Sequence, residues 1–418
     1  MGKINLIKVI STISALGIIG GGAVFLTLLT SCSNAQSVFI NKDTATENYE
    51  NLYVFNSNTK IPLLHTNVIN LQTLSKKNHD SKKFIINSEI IDTPIYIPYG
   101  FTNFDLSCSA TGRLVSSNSE RVASKINIGI VFGSKVENYN NTYSLNANIH
   151  NMFIQISNDP GVGTFGIFGI FPQDEQNSHL YLQNNLILAS ESSDDKAIDI
   201  ENIYFLTIRN NLFSSNGDGT STIEISGNKT VEIFDNYINS ASSTGLAIFM
   251  RTLRNNATFN LKNNFISSVQ TPWVLGSAIQ LMNLNKCDYI LENNSFSVFN
   301  SMHQYVSTFT DFIIQTNSPE KDWFIGSNNI GLINNPINEA YSPYLWEVCT
   351  PPIGTFTQTG DNDSKEVAYH DSIYDAWCQL LYYDDNRTTV VSILNLLKNE
   401  IINNFASNVI NDLLDQVQ

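Results

Sequence analysis

Apolar and polar residues alternate ahead of a recurring pair of short polar residues, and that pattern repeats through the middle of the chain. Taking the second residue of each pair as origin gives Asn185, Asn211, Asn236, Asn264, Asn294 and Asn329, spaced by 26, 25, 28, 30 and 35 residues. The residue before each is Asn184, Asn210, Asp235, Asn263, Asn293 or Asn328. Three positions ahead of the origin stand Leu182, Ile208, Ile233, Leu261, Leu291 and Gly326, and five ahead stand Leu180, Leu206, Val231, Phe259, Tyr289 and Phe324. Two positions after it come Ile187, Phe213, Ile238, Ile266, Phe296 and Gly331. The alternation is strand periodicity and puts the apolar side chains on one face.

Each interval holds one more apolar stretch: Ala197 to Ile200, Thr222 to Ile225, Gly245 to Phe249, Ala278 to Leu281, and Phe312 to Ile314. A unit of about 25 residues with three short strands, stacked on itself, is a parallel β-solenoid. Asn suits the bend because it tolerates left-handed backbone and can bond the amide of the next unit. A two-sheet antiparallel sandwich would not require Asn at one register six times. Strands are expected to begin near Phe84, with Phe84 to Ile86 and Ile95 to Ile97 closed by Pro98 and Gly100. The glycine-rich run Gly161 to Gly169 is expected to form an irregular coil of the stack or a projecting loop.

These features resemble the right-handed parallel β-helix superfamily, the pectate-lyase-like fold, over residues 84–340 and most strongly over 180–331. The resemblance implies an all-β, right-handed parallel β-helix whose six aligned asparagines form a structural ladder. Residues 337–366 break the pattern. Beyond them Leu394, Leu397, Ile401, Phe405, Val409, Leu413 and Val417 recur at helical spacing. The helix serves either as a C-terminal cap over the open solenoid end or as an element joining subunits, with residues 341–418 taken as irregular segment plus helical cap.

At the other end, Lys3 and Lys8 precede an apolar run from Val9 to Leu29, which closes on Leu29-Thr30-Ser31-Cys32. The order resembles the lipobox signal of bacterial lipoproteins. It implies a signal peptide over 1–31, cleavage before Cys32 and a lipid, such as palmitate, on Cys32. The alternative is a plain transmembrane anchor, for which about 20 apolar residues suffice. Either way the rest of the chain is expected outside the cytoplasm at the cell membrane; on the lipoprotein reading, lipidated Cys32 joins it to the lipid bilayer. Residues 32–83 are polar and are expected to be a tether, with room for a short strand or helix as a lid.

Composition narrows the functional classes. The 418 residues are 42% hydrophobic and only 15% charged, with net charge −15. A disordered acidic tail would need lower hydrophobicity and denser charge. Nucleic acid is not an expected partner, because binding it takes clustered Lys and Arg. Removing Lys3 and Lys8 with the signal peptide takes the charge to −17, which argues against adhesion through a polybasic patch. None of Cys32, Cys108, Cys287, Cys349 and Cys378 falls in a Cys-x-x-Cys spacing, so zinc has no support. Cys349 and Cys378 are the pair to expect if any forms, with Cys108 and Cys287 as buried free thiols.

Candidate chemistry rests on outward residues. Asp199, between Ile198 and Ile200, and Glu224, between Ile223 and Ile225, fall at equivalent positions of successive units. Arg209 and Glu232 are outward on the next strand, with Lys262 beyond. Paired carboxylates can cleave a glycosidic bond, or hold calcium against an acidic sugar. Solvated strands carry such residues anyway, and the Asp199–Glu224 column does not continue: the equivalent position becomes Ala247 or Phe249, and then Gln280. Asp194-Asp195 is expected as a solvated turn. The six histidines show no His-x-x-x-His spacing, and neither a phosphate-cradling loop nor a serine elbow is present. The expectation is a surface lipoprotein whose β-helix is a non-enzymatic binding or adhesion platform for a glycan or surface protein. The alternative is a polysaccharide lyase or glycoside hydrolase. No metal or cofactor is expected, apart from calcium for a lyase.

Overall fold

A computed structural model describes residues 37–49, 53–56, 59–118, 125–133, 145–158, 162–171, 177–190, 194–216, 221–240, 246–270, 279–283, 287–292, 294–300, 312–316, 323–330 and 353–357. These form an all-β structure with one helix, Leu71–Lys77. Two long sheets, of 19 and 10 strands, account for all the strands but one short antiparallel pair, Tyr53–Asn56 with Thr59–Pro62. Nearly every pairing is parallel and joins a strand to its equivalent in the next repeat, as Asp195–Glu201 pairs with Ser221–Ser226. Pairing divides the larger sheet into two columns, so each repeat contributes a strand to three stacked faces.

Columns of like residues explain the stacking. On the ten-strand sheet, Ile69, Ile95, Ile130, Ile167, Ile198, Ile223, Ile248 and Ile279 stand in unbroken register. A second column runs Leu106, Ile149, Leu182, Ile208, Ile233, Leu261, Leu291. A third runs Leu114, Ile154, Ile187, Phe213, Ile238, Ile266. All are buried in one continuous core. Each such side chain contributes roughly 1.5–3 kcal/mol on burial, so the columns supply most of the cohesion between repeats.

The paired polar residues divide their work at the bend. The first takes the left-handed backbone: φ is 53° at Asn184 and Asn210, 58° at Asp235 and 55° at Asn263. The second turns its amide into the core. Asn185, Asn211, Asn236, Asn264 and Asn294 are all wholly buried. Each of the first four donates Nδ2 to Oδ1 of the next, at 2.9, 2.9, 2.9 and 3.0 Å. In the repeat before Asn185 the second position is Met152, whose backbone N–H donates to Asn185 Oδ1 at 3.0 Å. Asn329 lies on strand Trp323–Ile330, where the register shifts between Ser327 and Asn329, and its side chain is outside the described residues.

The stack starts earlier than Phe84. Val38–Ile40 pairs with Lys83–Ile86, and Asn67–Asn70 pairs with Ile95–Ile97. Helix Leu71–Lys77 follows, its first turn capped by Asn70 Oδ1, which accepts the backbone N–H groups of Gln72 and Thr73. Leu71 and Leu74 enter the core. The stretch read as a tether thus holds strands; its apolar runs are too short to stand out from their polar surroundings. The glycine run also departs from expectation. Gly163–Ile170 is a buried strand, and Gly166 is needed because a Cβ there would lie 2.2 Å from the Ile187 side chain and 2.5 Å from the Ala197 carbonyl oxygen. Near the C-terminus, Ile353–Thr357 pairs with Trp323–Ile330. The expected signal peptide, Cys32, the helical cap, Cys349 and Cys378 lie outside the described residues.

Candidate functional site

Asp199 and Glu224 are register partners on adjacent strands of the ten-strand sheet, as the repeat implied. They are not solvated. Asp199 is 5% exposed and Glu224 wholly buried. Two cations that the sequence did not single out hold them. Lys196 Nζ lies 2.7 Å from Glu224 Oε2, 3.0 Å from Asp199 Oδ2 and 3.4 Å from Asp194 Oδ2. Arg251 Nη2 pairs with Glu224 Oε1 from the partly exposed side.

Strict alternation would put Lys196 and Asp199 on opposite faces. The strand avoids this with a kink, because Ala197 and Ile198 both pack in the core while Lys196 and Asp199 both leave it. The ladder register omits Ala197 at this point, pairing Lys196 with Phe165 and then Ile198 with Ile167. Lys196 Nζ also lies 5.2 Å from the centroid of the Phe165 ring, and the Arg251 guanidinium 5.5 Å from that of Phe249. Asp195, expected in a solvated turn, is buried and opens the strand.

Burial pushes the Asp199 carboxyl up to about 7; Lys196 opposes this, and Glu224 and Glu201 add to it. Burial likewise raises Glu201, against the pull of Arg251. For Lys196 burial disfavours the charge, but Asp199, Glu224 and Asp194 outweigh it and the ammonium is held well above its ordinary range. One oxygen each of Asp199, Glu201 and Glu224 lie within 4.8 Å of one another, and these are the residues that could hold a cation. Asp199 Oδ1 is buried without a hydrogen-bond partner. The Lys196 ammonium already sits against Asp199 and Glu224.

Arg209 and Glu232 lie on a different face and do not join this cluster. Their strands pair, but Arg209 stands opposite Phe234 and Glu232 opposite Thr207. Arg209 reaches Asp235 at 3.4 Å, and Glu232 accepts from the Thr207 hydroxyl at 3.3 Å. On the same face His179 stacks on Phe205 with centroids 4.3 Å apart, and His150 pairs with Asp105 at 2.9 Å. Cys108 and Cys287 are buried as expected, and burial pushes the Cys108 thiol up to about 12.

Comparison with protein families, curated proteins and solved structures finds no match for this chain.

Proposed function

We propose that this protein is an extracytoplasmic surface lipoprotein, anchored in the bilayer through Cys32, whose body is a non-enzymatic binding or adhesion platform. The body is read as a right-handed parallel β-helix of the pectate-lyase-like kind, with an Asn ladder through Asn185, Asn211, Asn236, Asn264 and Asn294. A helical cap over 341–418 belongs to the same reading. Support for the architecture comes from the parallel stacking of repeats and the amide-to-amide bonds. The observation that carries the non-enzymatic reading is the closure of the carboxylate pair. A catalytic carboxyl must come within hydrogen-bond reach of its substrate, and Asp199 and Glu224 are instead buried and engaged by Lys196 and Arg251. The partner is a glycan or a surface protein.

One observation favours the alternative lyase or hydrolase: a carboxyl with raised pKa stands beside a second carboxylate, the pairing that acid catalysis uses. Incubation with acidic and neutral glycans, with and without calcium, separates the two. Binding without cleavage is expected, and new reducing ends or unsaturated uronates would sink the platform reading. Anchoring is tested by Cys32→Ser, which should leave the precursor uncleaved and abolish incorporation of labelled fatty acid. Persistent labelling would overturn it.

A further inference from the structure

Lys196 and Glu224 belong to adjacent strands of successive repeats, and their charges meet where water does not reach. Lys196 is 4% exposed and Glu224 wholly buried. Lys196 Nζ stands 2.7 Å from Glu224 Oε2, yet neither Glu224 oxygen has a partner aligned as a hydrogen bond. A buried ion pair offsets its lost hydration only with good geometry and hydrogen bonds on the remaining lone pairs. This pair lacks the second condition. A neutral amide would remove both buried charges, and the amine and the carboxyl group are already neighbours.

Two further groups complete the chemistry. Asp199 Oδ2 stands 3.0 Å from the same Nζ, and burial pushes its carboxyl up to about 7, so it can take and return a proton near neutral pH. Its other oxygen, Oδ1, is buried without a partner. Arg251 Nη2 meets Glu224 Oε1, where a donor steadies the oxygen that gains negative charge as an amine adds to the carboxyl carbon. The centroid of the buried Phe165 ring lies 5.2 Å from Nζ and adds apolar surroundings.

We propose that Lys196 Nζ and Glu224 Cδ condense into an amide that joins two successive repeats covalently, with Asp199 as proton carrier and Arg251 as oxyanion partner. Nζ first passes a proton to Asp199 Oδ2. The carboxylates hold the Lys196 ammonium above its ordinary range, so this transfer occurs within the cluster and not to solvent. The freed amine then adds to Cδ while Arg251 faces Oε1. Oε2 receives the proton back from Asp199 and a second one from the nitrogen, and leaves as water as the C–O bond breaks. An ammonium and a carboxylate become one amide and one water, Asp199 ends as it began, and nothing is oxidised or reduced. Glu224 is the acceptor because it is the nearer carboxylate and the one that Arg251 polarises. The bond is independent of the anchoring and of any ligand.

The test is a tryptic peptide map of the full-length protein, folded and then denatured for digestion. The nearest cleavage sites are Lys135, Lys196, Arg209 and Lys229. Without the bond, residues 136–196, 197–209 and 210–229 separate. With it, Lys196 resists cleavage, and 136–209 should appear joined to 210–229, one water lighter than the two together, with fragment ions placing the link at Glu224. Lys196→Arg keeps a cation but cannot form this bond, so it should give separate peptides. Asp199→Asn should slow joining of freshly folded chain roughly a hundredfold. Separate peptides from folded wild-type protein overturn the proposal. So does water lost within 136–209 alone, which would put the amide on Asp199, or a joined peptide that persists in Lys196→Arg. An undiminished rate in Asp199→Asn overturns its role as proton carrier.

Discussion

Asn211 donates both its side-chain amide and its backbone N–H to the single oxygen Oδ1 of Asn236, each at 2.9 Å. The same forked acceptor recurs from Asn185 to Asn211, from Asn236 to Asn264 and from Asn264 to Asn294. Each amide thus satisfies a backbone donor at a bend that no strand ladder reaches. The residue before it absorbs the left-handed turn. Local backbone geometry and contact between repeats are assigned to two adjacent positions.

Asn236→Leu strips that site of its acceptor and donor together. It orphans the Asn211 backbone N–H and leaves the Asn211 amide only the Leu182 carbonyl, it leaves Asn264 Oδ1 only the backbone N–H of residue 236, and the carbonyls of Ile208 and Phe234 lose the Nδ2 donor. Unpaired buried groups should cost on the order of 1–3 kcal/mol or more. Glu232→Gln, on a half-buried outward residue with one hydroxyl contact, should cost under about 0.5 kcal/mol. Equal shifts in denaturant midpoint would mean that the buried amides are not what binds the repeats.

At Asp235 the expected effect has a different cause. Its φ of 58° strains any branched side chain. Asp235→Val should therefore cost roughly 1–2 kcal/mol, and Asp235→Gly should be close to neutral because glycine enters this region freely. Thermal melts of the two variants decide it; a glycine variant as damaged as the valine one would show that the Arg209 contact matters more than the backbone.

The repeat was legible because the stack selects both its apolar columns and its bend residues, so Ile198, Ile223 and Asn211 all stand where periodicity put them. Asp199 and Glu224 were paired correctly for the same reason. Their environment was not legible. Alternation from Asp199 would put Lys196 on the opposite face, since a kink at Ala197 leaves no mark in a hydropathy pattern. Arg251 comes from the end of the following strand, beyond the motif. Left-handed geometry was expected at the aligned asparagines themselves, Asn236 among them; the residue before each adopts it instead, as Asp235 does at a φ of 58°. The first strand escaped notice because three residues, Val38 to Ile40, carry no measurable period.

Gly166→Ala tests the strand that replaced the expected loop. The added Cβ would lie 2.2 Å from the Ile187 side chain and 2.5 Å from the Ala197 carbonyl. The carbonyl belongs to the neighbouring strand and cannot yield cheaply, so overpacking should cost about 1–3 kcal/mol. Urea titration with an unchanged midpoint would place residue 166 outside the packed face.

Asp199 makes a prediction whose sign is fixed by its burial. Unfolded, the carboxyl ionises near its ordinary 3.8; folded, it keeps its proton to about 7. Between those values the native state binds the extra proton, so this group favours folding at the acid end and loses that contribution as pH rises to about 7. Glu201, raised by burial as well, acts in the same direction. Asp199→Asn keeps an acceptor for Lys196 at 3.0 Å but cannot ionise. Denaturant titrations across this range should show a shallower decline than wild type, with the residue of the slope left to Glu201, and the variant should gain most on wild type near neutrality. Lys196→Met should behave oppositely in magnitude. It leaves buried Asp199 and Glu224 facing each other, with only Arg251 in support, at a cost of roughly 3–5 kcal/mol that grows as Asp199 ionises. A wild-type slope retained in Asp199→Asn would show that Asp199 is already ionised in the fold and that Lys196 outweighs burial.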